Sequence, residues 1–185
     1  MIYLVRHGLD DESYVGGHSD IDLVDEGIIE VKELGIWLKQ QDFDVNRIYT
    51  SDIKRAVSTS NIINSYLDLP VTKTRELREL DKGCLTGLKK GIAKVSYPDY
   101  IVINDINTRY PGGESMLDLY LRIKRLLLEF SKYDESLVVT HRGVINMIYC
   151  LLNGDSLDMN KERYNVEHAS VHELDLTKSR VRRIR

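Results

Sequence analysis

Two short apolar runs in this chain each stop at a histidine with an arginine beside it. Ile2 to Val5 leads into Arg6-His7-Gly8, and Leu137 to Val139 leads through Thr140 into His141-Arg142-Gly143. An apolar run without alternation is the pattern of a strand buried on both faces, as in a parallel sheet covered by helices. Amphipathic segments alternate with such strands. Asp25 to Gln40 places Ile28, Val31, Leu34, Gly35 and Leu38 on one helical stripe. A second helix, from about Asp52 to Tyr66, turns Ala56, Thr59, Ile63 and Leu67 inward. A third runs from Glu114 to Ser131 on Met116, Leu119, Tyr120, Ile123, Leu127 and Phe130, with Ser115 and Asp118 resembling a capping box. Gly143 to Leu152 is a fourth. Arg47 to Thr50 and Ser136 to Thr140 read as further strands, and Leu69-Pro70-Val71 as a short strand or extended segment. Ser170 to Leu176 and Arg180 to Ile184 alternate and predict a hairpin at the sheet edge. The expected fold is a three-layer α/β/α sandwich with a mostly parallel central sheet and an antiparallel edge strand. The stretch from Arg75 to Tyr110, charged and broken by Gly83, Gly87 and Gly91, reads as loops and short helices over one end of the sheet.

Composition narrows the class. The chain has 185 residues, three prolines and no linker-like segment, so a single domain over 1–185 is expected. Its 26 basic residues against 29 acidic ones leave a net charge of −3, which argues against a nucleic-acid partner. Cys84 and Cys150 lie far apart at no metal or redox spacing and read as free thiols. The apolar start meets Arg6 too early for a signal peptide, and no run approaches a membrane span. A cytoplasmic protein without membrane partners is expected.

In open α/β sheets, ligands bind beyond the carboxyl ends of the strands. Three strands here end in polar groups: Arg6-His7-Gly8, Thr50-Ser51 followed by Arg55, and His141-Arg142-Gly143. Arg55, one turn into its helix, leans back toward the strand end. Two guanidiniums and two imidazoles can therefore converge. Arginine forks suit the oxygens of a phosphoryl group. A neutral imidazole can attack phosphorus, and a second, as a cation, can stabilise the transition state. A carboxylic acid must then serve the leaving alcohol.

These motifs resemble the histidine phosphatase superfamily, which includes phosphoglycerate mutases and many small phosphatases. LVRHG matches its nucleophile motif, and TSDIKRAVSTS its second arginine segment. GGHSDIDLVDEG, LRELDKGCLTGL, PGGES and VVTHRG match four more in order. The resemblance implies that His7 becomes phosphorylated, that Arg6, Arg55 and His141 hold the phosphoryl group, and that Glu79 is the general acid and base. Asp81 is the nearest rival acid. Neither a metal nor a cofactor is implied.

The family pattern RHGxTxxN is altered here, with Asp10 and Ser13 at the last two positions. Ser13 can still donate a hydrogen bond; an ionised Asp10 cannot, and it either points away or serves the pocket mouth. Gly8, Ser13 and Arg142 are the candidate substrate contacts, with a solvated or acid-paired Arg142 an equal reading. His18, His168 and His172 read as exposed or structural. The expected activity is metal-independent hydrolysis of a small phosphate monoester. A mutase is the first alternative, disfavoured because only about 30 residues separate Glu79 from Pro111. A non-catalytic module that binds phosphorylated ligands is the second.

Overall fold

The strand that carries the first histidine motif, β1 (Ile2–Arg6), lies inside a six-stranded sheet. The structure, a computed structural model, describes residues 1–160 and 163–185. On one side β1 pairs in parallel with β4 (Ser136–Thr140), and on the other antiparallel with β5 (Val171–Asp175). Beyond β4 lie β2 (Arg47–Ser51) and β3 (Val71–Thr74), both parallel to it; beyond β5 lies β6 (Arg180–Arg183), antiparallel to β5. The order is β3-β2-β4-β1-β5-β6. The edge strand β6 is thus antiparallel to its neighbour, as expected, and β5, one place in, is the strand that runs against β1.

The two-residue period of β1 divides its side chains between two cores. Tyr3 and Val5 pack with Val139, Val31 and Ile63 beneath α1 (Asp25–Gln40) and α2 (Lys54–Leu67). Ile2 and Leu4 face the other way, toward Ile123, Phe130 and Ile148 beneath α4 (Met116–Leu128) and α5 (Arg142–Asn153). Every residue of β1 and β4 is buried, as their unbroken apolar runs require. A short α3 (Lys90–Ser96) is added within the loop-rich stretch.

Boundaries moved where capping chemistry decided them. The third sequence helix begins at Met116, because the Ser115 hydroxyl caps it by accepting the Asp118 N–H, and the Asp118 carboxylate accepts the Ser115 N–H in return. Leu126 rather than Leu127 completes its buried stripe, and in α1 Gly27 is buried where Ile28 is only half-buried. The basic residues of the tail form ion pairs: Arg182 with Glu173, Arg183 with Glu167 and Lys178 with Asp175. Both cysteines are free. No helix among the described residues is long and apolar enough to cross a membrane.

Candidate active site

Because β1, β2 and β4 are parallel neighbours, their carboxyl ends lie side by side. His7 follows β1 and His141 follows β4, and their ring centroids are 5.1 Å apart. His7 Nδ1 bonds the carbonyl of Gly8 at 2.7 Å. A carbonyl only accepts, so Nδ1 carries the proton and Nε2 holds the lone pair. Burial, then the charge of Arg55, holds this imidazole well below its ordinary pKa, so it is neutral. A neutral ring with a directed lone pair is the form that can attack phosphorus.

The Nε–H of Arg55 donates to that Nε2 at 3.1 Å. Its terminal nitrogens are fixed by the carbonyl of Gly17 at 2.9 Å and the hydroxyl of Ser19 at 3.3 Å. Arg6 donates from one terminal nitrogen to the carbonyl of Val166 at 2.8 Å and from the other to His168 Nε2. Its buried Nε has no partner among the described residues. Burial, then Arg142, pushes Arg6 down to about 10, still charged at neutral pH. His141 Nε2 meets Ser51 Oγ at 2.9 Å, while its buried Nδ1 has no partner among the described residues. Burial and Arg55 also hold His141 well below the usual imidazole range. Burial and the neighbouring arginines thus favour the neutral form of His141.

Glu79 reaches the site from the turn after β3. Its carboxylate accepts from the backbone N–H of Leu80 at 2.8 Å and of Gly143, in the first turn of α5, at 3.0 Å. Burial pushes its pKa up, but these donors and Arg55 outweigh it, and the carboxyl sits below its ordinary value. Gly143 is required here, since a Cβ would lie 2.1 Å from Glu79 Oε1. The supporting strap is Arg122, which donates to the carbonyls of Arg78 and Glu79 and forms a forked pair with Glu114. Asp81, the rival acid, is spent on the N–H of Gly83 and on His18.

His7, Arg6, Arg55 and Glu79 open into a cavity of about 410 Å³ whose apolar wall includes Tyr110, Met116, Leu119 and Met147, while His141 is fully buried and does not line it. Arg6, His7, Asp10, Arg55, Glu79 and Arg142 also line it. Ligand atoms of His7, Asp10 and His168 lie within 4.8 Å of one another. Both imidazole Nε2 atoms, however, meet arginine N–H groups, and a divalent ion there would face Arg6 and Arg55 directly. That is the chemistry of an anion site.

The sequence profile of the histidine phosphatase superfamily (branch 1) matches residues 2–184. The chain belongs to this superfamily. Among curated relatives, this chain is 30% identical to a 2,3-bisphosphoglycerate-dependent phosphoglycerate mutase of Porphyromonas gingivalis over 202 residues, covering 86% of this chain and 82% of the mutase. It is also 30% identical to a fructose-2,6-bisphosphatase of Saccharomyces cerevisiae over 80% of this chain, yet it spans only 33% of that enzyme. Its fold matches Bacillus stearothermophilus YhfR with a TM-score of 0.81 at 22% identity, over 99% of this chain and 94% of that one. It matches a mycobacterial glucosyl-3-phosphoglycerate phosphatase with a TM-score of 0.79 at 23% identity, over 99% and 96%.

The structure brings together His7, Arg6, Arg55, Glu79, His141 and Arg142. It does not bring Gly8 or Ser13 into the cavity wall. Gly8 is turned toward α1, where a Cβ would meet Val31 Cγ2 at 2.5 Å, and its N–H donates to Thr59. Ser13 is exposed and serves Asp11, which accepts its backbone N–H at 2.9 Å. Sequence reasoning missed His168, which packs 5.7 Å from His7. Of the two orientations open to Asp10, the structure has the inward one, facing Arg55, and His18 holds the Glu79 carbonyl at 2.8 Å. The signal for His168 was topological: an antiparallel strand delivers its start, not its end, to the carboxyl edge of its parallel neighbour. His172, by contrast, is structural, bonded to Tyr149 and Ser170.

Proposed function

We propose that this protein is a metal-independent phosphomonoesterase that works through a phosphohistidine on His7. The observation that carries the reading is the buried, neutral His7, whose Nε2 lone pair is aimed among Arg55, Arg6 and His141. His7 Nε2 forms a bond to phosphorus as the bond to the ester oxygen breaks. Arg55 turns its N–H from the imidazole to a phosphoryl oxygen, Arg6 Nε supplies a further donor, and His141 lies beside them to stabilise the transferring group. Glu79 gives a proton to the departing alkoxide, the negative phosphoryl group having raised its affinity for one. It then takes a proton from water, the hydroxide attacks phosphorus, and the P–N bond breaks to release phosphate.

Hydrolysis over transfer is the reading favoured by the short span, about 30 residues, between Glu79 and Pro111. The alignment with the Porphyromonas gingivalis mutase needs 202 residues to cover 86% of this protein, so the mutase carries residues absent here. Less chain is available to seal the cavity against water. A small phosphate ester is the proposed substrate class, its phosphoryl end specified by the arginines more sharply than its alcohol.

Rapid quenching with a reactive phosphate donor in excess EDTA tests the scheme. One alkali-stable, acid-labile phosphoryl group is expected on His7, lost in His7→Ala. His141→Ala should slow turnover about 10²- to 10³-fold. Label on His141, or undiminished turnover in His7→Ala, overturns the mechanism.

A further inference from the structure

Asp10 stands where a phosphoryl group must enter, and the reaction above does not use it. Its backbone is fixed by a bridge to Leu23, and the preceding carbonyl, of Leu9, accepts the N–H of Val24. The carboxylate lies 3.4 Å from Arg55 Nε and 3.9 Å from His168 Nε2. That same Arg55 N–H donates to the nucleophilic nitrogen of His7. Arg55 Nε thus hydrogen-bonds His7 and ion-pairs with Asp10, so the carboxylate borders the point at which phosphorus must sit. Asp10 is only 14% exposed, and it lines the cavity.

An ionised carboxylate in this place opposes the ligand that the arginines attract. The groups facing it are Arg55 from α2, Arg6 and His7 from the end of β1, His168 from the turn before β5, and Glu12 from its own loop. The two guanidiniums favour the anion, while burial and Glu12 oppose it. The balance already lies above the ordinary carboxylate value before any anion arrives, with burial the largest cause. A dianion beside it adds like charge and shifts the balance further toward the acid.

We propose that Asp10 takes up a proton from solvent as the phosphoryl group binds, and that its O–H then donates to a phosphoryl oxygen. The proposal rests on the phosphatase reading above. Anion and proton enter together and leave together, with no covalent change at Asp10. A carboxyl that switches in this way admits the phosphoryl group and repels it again once the proton departs, so that binding favours the acidic side of neutrality.

Sulfate is a suitable probe, because it stays a dianion throughout the range and takes no part in the reaction. Calorimetric titration in buffers of different ionisation enthalpy counts the protons taken up. The Glu79→Gln background removes the other carboxyl that could accept one. In that background close to one proton per sulfate is expected, with affinity falling about tenfold per pH unit once Asp10 is ionised in the free protein. Adding Asp10→Asn should abolish both the uptake and the pH dependence, because the amide donates without titrating. Adding Asp10→Ala instead should bind more weakly than Asp10→Asn, since it removes the donor. Uptake that survives Asp10→Asn, or equal affinity in the Asn and Ala variants, overturns the role of Asp10. Arg55→Ala locates the ion. Sulfate that depends on Arg55 but brings no proton overturns this proposal and leaves the phosphatase reading standing. Sulfate binding indifferent to Arg55 overturns both.

Discussion

The Glu79 carboxylate is held by two backbone N–H groups and starts each cycle without a proton. That state suits the activation of water; the leaving-group step needs the proton that a bound dianion induces. The demand for an acid scales with the basicity of the leaving alkoxide. Glu79→Gln is therefore expected to slow hydrolysis of an alkyl phosphate about 10²- to 10⁴-fold. Formation of the phosphoenzyme from a nitrophenyl ester, measured as a burst, should fall far less. Equal losses on both substrates would show that Glu79 acts through positioning alone. Asp81→Asn, whose side chain serves Gly83 and His18, should not reproduce the pattern. Glu79 was legible because its motif survives intact. Asp10 was not: the sequence shows an acid at a donor's position, and only the contact with Arg55 shows which way it points.

Among the elements, the amino end of α5 has two duties. It begins directly after His141, and it presents the Gly143 N–H to Glu79. Gly143→Ala would force Glu79 away, because its Cβ would clash with Oε1, whereas the helix itself tolerates alanine better than glycine. The expected result is a loss in kcat on alkyl phosphates of about 10²-fold, the scale for a displacement of an ångström, with a melting temperature that does not fall. A fall in melting temperature with kcat unchanged would contradict this assignment. The opposite outcome is expected at α4. Ser115→Ala removes the cap and should lower stability by about 1 kcal/mol in chemical denaturation. The helices and their caps were readable from periodicity and from Ser115 with Asp118. The Arg122 strap across Arg78 and Glu79 was not, since it joins residues more than forty positions apart.

For the whole molecule, buried imidazoles set the response to acid. His172 is fully buried, and its burial, then Arg183, lowers it to about 4; His168 is lowered to about 3 by burial and then Arg6, and His7 and His141 are also depressed. An unfolded histidine titrates near about 6.5. Between that value and the folded one, the unfolded chain binds a proton that the folded chain refuses. Stability therefore rises with pH through this window and is lost as pH falls. His172 alone accounts for roughly 3 kcal/mol by about pH 4. Unfolding free energies measured between about pH 7 and pH 4 should decline steadily, and His172→Gln should flatten part of the slope. A profile that is level from pH 7 to 5 would exclude the effect.

The two histidine strands, the alternation of helix with strand, and the convergence of Arg6, His7, Arg55 and His141 were determined by the sequence, because each depends on local pattern and on the parallel-sheet rule. The hairpin after Ser170 was legible for the same reason. Its direction against β1 was decided by tertiary structure, and with it the arrival of His168 beside His7. So were the inward turn of Asp10 and the neutrality of His141, since charge and burial are sums over neighbours that lie far apart in the chain. Gly8 shows the difference most simply. Its motif placed it next to the nucleophile, but the close approach of α1, through Val31 and Gly27, made it a packing contact instead of a wall of the cavity.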